Sequence, residues 1–209
     1  MSRSGPTHTP AGAAPEGRGE SIADAAPAPR GAVAVVVSRY NGSITGKLLE
    51  GALAAYREAG GDPAAVAVVD APGAYELVAL SNAAARTGRF AGVVALGCII
   101  RGDTDHDRYI ASAVATGLAQ VTVETGVPVA FGVLTVNTTR QARERAGGVH
   151  GNKGAEAMVA LLNTIDAIRS LERGDAAQIA GGVALPDKAA GNGRGVVRNG
   201  RAKAAGGRR

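Results

Sequence analysis

The sequence predicts an α/β fold: a three-layer sandwich in which a four-stranded parallel sheet carries helices on both faces. Three observations predict it. Four short runs rich in Val, Ile and Ala are continuously apolar rather than alternating, the pattern of strands covered on both sides. Helical apolar spacing fills the stretches between them. The links are short, which leaves right-handed βαβ crossovers as the connection.

In order, the first strand falls at residues 32–38. Ile44, Leu48, Leu49 and Leu53 then mark a helix that Gly60-Gly61 closes. The second strand, 66–70, precedes a helix carrying Leu77, Leu80 and Ala84. The third, 92–100, precedes one carrying Ile110, Val114, Leu118 and Val121. The fourth, 127–134, leads to a short helix near 138–146 and a long one through Met158, Leu161, Leu162, Ile165 and Ile168. Asn152-Lys153-Gly154 separates these last two as a hinge. No internal repeat is visible.

Composition bounds the rest. The chain has 209 residues, enough for one domain, expected at 31–174. Apolar residues make up 45% but aromatics only 3%, so the core is built from Ala, Val, Leu and Ile and depends on close approach of its elements. Residues 1–30 hold five of the nine prolines and no apolar periodicity, and 175–209 are rich in Gly, Ala and Arg. Both are expected to be disordered. The net charge of +5 belongs to residues 186–209, where seven basic groups face Asp187 alone, so the domain itself is near neutral. No aromatics are interleaved in that basic tail for base stacking, so a nucleic acid is not the expected partner. One cysteine fits a reducing compartment, and neither a secretory h-region nor a membrane span is visible; the expected location is the cytoplasm.

Parallel α/β sheets bind ligands at the carboxyl ends of their strands, and there the sequence becomes chemically specific. The first strand runs into Arg39-Tyr40-Asn41, the second into Asp70-Ala71-Pro72-Gly73-Ala74-Tyr75-Glu76, the third into Arg101-Gly102-Asp103-Thr104-Asp105-His106. His106 starts a helix, where an imidazole can move a proton near neutral pH or simply make a local hydrogen bond. Gly102-Asp103-Thr104 precede that helix, whose first N–H groups are unpaired: an anion site, or ordinary capping. Arg145 can clamp a phosphate in two-pronged fashion or stand in solvent. Tyr40 and Phe131 are two of only six aromatics, suited to stacking on a flat heterocycle or to packing. Glu76 can accept hydrogen bonds from a polyol or favour the positive end of its helix. Cys98 reads as inert core and His150 as part of a Gly-rich turn. No histidine or cysteine spacing suggests a metal, and none is expected.

Together these stretches resemble lumazine synthase, the riboflavin-pathway family. The resemblance rests on R-Y-N-G-S-I-T at 39–45, A-P-G-A-Y-E at 71–76, L-G-C-I-I-R-G-D-T-D-H at 96–106, V-P-V-A-F-G-V-L-T at 127–135, R-Q-A-R-E-R-A-G at 140–147 and G-N-K-G at 151–154, in that order. It implies flavodoxin-like layering and a cofactor-free, metal-free condensation of 5-amino-6-(D-ribitylamino)uracil with 3,4-dihydroxy-2-butanone 4-phosphate. By position, Tyr40 would stack on the pyrimidine, and Ala74, Tyr75 and Glu76 would line the ribityl pocket. Backbone at Cys98, Ile99 and Ile100 would hold the heterocycle. Asp103, Thr104 and Arg145 would bind phosphate, His106 would transfer protons, and Phe131 would close the pocket from a neighbouring subunit. The family works as homopentamers, some stacked into icosahedral 60-subunit shells, with riboflavin synthase as a cargo the resemblance brings into view. The compact turn A-G-G-V-H-G-N-K-G resembles shell-forming members. Three differences stand out: Tyr40 where Phe or Trp is more usual, Asp103 beside the phosphate, and Asp107-Arg108 where an aromatic-Asp pair usually follows the histidine. The last of these motivates the rival reading, a non-catalytic shell or flavin-binding scaffold, against which the intact His106, Thr104 and Arg145 argue. A flavodoxin-like electron carrier is set aside because Arg39-Tyr40-Asn41 stands where its phosphate loop would be.

Overall fold

A computed structural model describes residues 31–174. The disorder expected of 1–30 and 175–209 concerns residues outside that range, as does His8. Strand β1 (Val33–Ser38) leads to helix α1 (Gly42–Glu58), a 3₁₀ turn (Pro63–Ala65) and β2 (Val66–Ala71). Then come α2 (Leu77–Arg86), β3 (Gly92–Ile100), α3 (His106–Thr125) and β4 (Val129–Val136). The described chain ends with α4 (Thr139–Arg145), a two-stranded hairpin of β5 (Ala146–Gly148) and β6 (Gly151–Asn152), and α5 (Lys153–Glu172).

The four long strands form one parallel sheet, as the βαβ rhythm requires, in the order β2-β1-β3-β4. Because side chains alternate across a strand, the two central strands feed two separate cores. Val33, Val35 and Val37 of β1 and Val94, Leu96 and Cys98 of β3 face Ile44, Leu48 and Ala52 of α1 and Met158 and Leu161 of α5. Ala34 and Val36 with Val93 and Ala95 face Leu77 and Ala84 of α2 and Val114, Leu118 and Val121 of α3. Every residue of β1 is buried, which explains the unbroken apolar run. The sheet's edges depart from that pattern: Val68 and Asp70 on β2, and Phe131 and Thr135 on β4, are exposed.

With few aromatics to fill space, α1 and α5 approach until backbone meets backbone. A methyl group on Gly154 would overlap the Leu48 carbonyl oxygen, and one on Gly51 would overlap the Asn152 side chain. Asn152 caps α5 by accepting from the Gly154 and Ala155 N–H groups at 2.8 and 3.2 Å. Its Nδ2 donates across to the Lys47 carbonyl at 2.7 Å. The Asn152-Lys153-Gly154 stretch is therefore less a hinge than the lock between the outer helices. The hairpin before it has no counterpart among the expected elements: Gly147 and Gly151 adopt φ of 105° and 73°, and His150 N–H donates to the Glu144 carbonyl at 2.8 Å.

Candidate active site

Three strand ends and the start of α3 enclose a cavity of about 870 Å³. The turn after β1 is tied down at three points. Arg39 N–H donates to the Ala71 carbonyl of β2 at 2.8 Å, the buried Ser38 hydroxyl reaches the Tyr40 carbonyl at 3.5 Å, and Asn41 Nδ2 donates to the Cys98 carbonyl of β3 at 2.9 Å. Between those fixed points the Tyr40 ring stands 72% exposed. Asn41 also starts α1 in a left-handed conformation, φ 59° and ψ 40°, with its carbonyl accepting from Ile44 and Thr45 N–H.

The cavity gathers Tyr40, Ala74, Tyr75, Glu76, Cys98, Ile99, Ile100, Thr104 and His106 into one wall. Gly102 lines it beside Thr104, whereas Asp103 does not. The remaining expected residues, Phe131 and Arg145, stand elsewhere. They share a groove of about 440 Å³ between the free edge of β4 and the start of α5.

Sequence reasoning missed several lining residues. Arg101 is the one arginine or lysine on the large cavity's wall, and Asn41, Asp107 and Tyr109 are among its other lining residues. Lys153 and Glu156 line the second groove, paired at 2.6 Å. In sequence they read as an ordinary helix-surface pair three residues apart, and no local signal tells otherwise.

Electrostatics differ between the two cavities. In the groove, Arg145 donates to the Gln141 carbonyl at 3.0 Å and lies 3.9 Å from Glu144, so its guanidinium is held in place on a short helix. Glu144 also receives Arg140 at 3.5 Å and faces His150 at 4.0 Å. At the start of α3, Arg108 pairs with Asp105 at 3.8 Å, both exposed and neither lining the large cavity. Among the described residues no hydrogen bond or ion pair to the His106 side chain is formed. Burial pushes the Cys98 thiol up to about 11, so this sulfur is a neutral wall atom at physiological pH.

Chemically, the large cavity offers an exposed aromatic face, a carboxylate, strand-end backbone groups, a glycine-flanked helix start and an imidazole. That set suits a flat polar heterocycle with a hydroxylated tail at one end and an anion at the other. No described helix is long and apolar enough to cross a membrane.

Comparison with known proteins points to one family. The family model for 6,7-dimethyl-8-ribityllumazine synthase matches residues 31–169. Two relatives of that name, from two strains of Thermus thermophilus, are each 45% identical over 141 residues, covering 68% of this chain and 90% of theirs.

Proposed function

The chain belongs to the 6,7-dimethyl-8-ribityllumazine synthase family, and from that premise we infer how it condenses 5-amino-6-(D-ribitylamino)uracil with 3,4-dihydroxy-2-butanone 4-phosphate. The observation that carries the reading is the convergence of Tyr40, Glu76, Cys98–Ile100, Thr104 and His106 on one cavity. The pyrimidine lies against the Tyr40 ring and hydrogen-bonds to backbone at Cys98, Ile99 and Ile100. The ribityl chain runs along Ala74, Tyr75 and Glu76. The phosphate of the second substrate sits at Gly102-Asp103-Thr104, before the first turn of α3, bound by backbone N–H groups and the Thr104 hydroxyl.

The 5-amino group then attacks the ketone and water leaves as the imine forms. Loss of a proton next to the imine expels phosphate, and closure of the ribitylamino nitrogen onto the newly formed carbonyl releases a second water. Each step moves protons at one end of the heterocycle, beside His106, which takes and returns them. Holding both substrates in attacking geometry supplies most of the remaining acceleration.

Phe131 and Arg145 lie in their own groove on the same chain. They complete a cavity on a neighbouring copy, Phe131 closing over the ring and Arg145 gripping the phosphate. This makes the working unit a ring of subunits, a pentamer, and the site an interface. The tight hairpin at Gly148–Gly151 supports stacking of such rings into a shell, with riboflavin synthase as its cargo and the cytoplasm as its compartment.

The test is absorbance-monitored lumazine formation by wild type, Arg145→Ala and His106→Ala. Saturable turnover is expected, with loss of Arg145 raising the KM of the phosphate substrate roughly 10- to 100-fold, as loss of a charged hydrogen-bond partner does. Loss of His106 lowers kcat about 100-fold or more. A well-assembled wild type without turnover refutes catalysis and leaves the shell reading.

A further inference from the structure

We propose that Asn41 is a positioning residue that sets the width of the slot between the Tyr40 ring and the end of β3, and thereby the affinity for the aminouracil; this rests on the substrate placement given above. Three observations carry it. The ladder between β1 and β3 ends at the pair Val37–Leu96, so beyond it the two strands are free to splay. The Asn41 amide bridges that gap, donating from Nδ2 to the Cys98 carbonyl at 2.9 Å, a contact spanning 57 residues of sequence. And Asn41 is the only non-glycine residue with positive φ among those described.

The left-handed backbone is what makes the bridge possible. A β-conformation at residue 41 would send the side chain elsewhere; φ of 59° turns it toward β3 while the carbonyl still receives the first helical N–H groups of α1. Residues other than Gly, Asn and Asp adopt this region at a cost, so the position combines a restricted backbone with a required amide. A carbonyl can only accept, so the nitrogen must be the atom facing Cys98.

The consequence is geometric. Arg39 N–H fixes one side of the turn to β2, and the Asn41 amide fixes the other to β3. Tyr40 lies between these two anchors, and its ring is not packed against the core. Without the amide, the turn is tied to β2 alone, and the ring can drift relative to the Cys98–Ile100 edge. The phosphate end, formed by the loop after β3 and the start of α3, is not part of this linkage. The two substrates should therefore respond differently.

Asn41→Gly and Asn41→Asp separate backbone from amide. Both residues tolerate positive φ, and neither can donate to the Cys98 carbonyl at neutral pH. Each variant is compared with wild type as the full assembled chain, by melting temperature, by KM for each substrate, and by equilibrium binding of the fluorescent lumazine product. Both variants are expected to melt close to wild type, to raise the KM of the aminouracil about tenfold, and to leave the KM of the phosphate substrate within about twofold. Product binding should weaken by the same tenfold, which corresponds to about 1.4 kcal/mol. Asn41→Gly with unaltered product affinity, or with both KM values raised together, overturns the proposal. Wild type that neither turns over nor binds the lumazine removes the family activity, and this inference falls with it. Wild type that does both while the variants match it overturns this inference alone.

Discussion

Replacing Gly154 by alanine should destabilise the fold, although the residue lies in a helix where alanine is intrinsically preferred. Gly154 is the second residue of α5, and a Cβ there would overlap the Leu48 carbonyl oxygen and lie 2.6 and 2.9 Å from the Leu48 carbonyl carbon and Cα. Backbone cannot rotate away as a side chain can, so α1 and α5 must separate. Overpacking of this kind costs about 1–3 kcal/mol. Separation also stretches the Asn152 Nδ2 bond to the Lys47 carbonyl, worth about 1 kcal/mol. Alanine's helix preference returns at most about 1 kcal/mol. The net is about 1–3 kcal/mol, or roughly 3–12 °C in melting temperature for a domain of this size. The assay is thermal unfolding at matched protein concentration, since any self-association shifts the midpoint. Gly46→Ala is the control: it lies inside α1 with nothing within 4 Å of an added Cβ, so it should be neutral or stabilising by up to about 1 kcal/mol. Gly154→Ala melting at or above wild type would refute the reasoning, because no relaxation of a side chain can remove a backbone overlap.

The site itself is open to two further tests. Co-expressing His106→Ala with Arg145→Ala, each strongly impaired alone at subsaturating phosphate substrate, should restore about a quarter of wild-type activity there, because random mixing leaves that share of interfaces with an intact His106 facing an intact Arg145. Mixed assemblies with no recovery would show that one chain supplies both residues. Cys98, with its thiol pushed up to about 11, should resist thiol reagents in the native protein at about pH 8 and react fully once unfolded. Its folded pKa lies above the ordinary value of 9.0, so its neutral form stabilises the fold below about pH 9 and that contribution fades as pH rises toward 11. Stability in a pH titration that rises across this window would contradict it.

Much of the fold is legible in the sequence because the physics is local. Strands covered on both faces cannot alternate, so β1 and β3 announce themselves as unbroken apolar runs. The fourth strand begins two residues later than expected, at Val129–Val136 rather than 127–134, because Val127-Pro128 is apolar but contributes only the Pro128 carbonyl, bonded to Val93 N–H at 2.9 Å. The β5–β6 hairpin is not legible at all: Ala146, Gly147 and Gly148 have no strand preference, and its pairing is made by backbone alone. At the site, residues identified by their own chemistry, such as Tyr40, Thr104 and His106, can be read. A residue whose meaning comes from a distant partner, such as Asn41 with Cys98, cannot.

The distribution of aromatics argues for function more strongly than any single contact. The core fills with Val, Leu, Ala, Met and Ile, and of the six aromatic residues only Tyr56 is fully buried. Tyr56 is held there by its hydroxyl donating to the Gly31 carbonyl at 3.0 Å. Tyr40, Tyr75 and Tyr109 stand exposed around the large cavity, and Phe131 stands exposed in the groove that holds Arg145. Leaving large apolar surfaces in water is unfavourable, at about 25 cal/mol per Å², and nothing in the packing of one chain demands it. Rings in those positions become favourable when a planar ligand or a second chain covers them. Three line the cavity where a heterocycle would lie, and the fourth stands on the free strand edge where a neighbour would dock. The same economy of aromatics that makes the core legible as small and close-packed thus marks the two surfaces whose meeting would make the site.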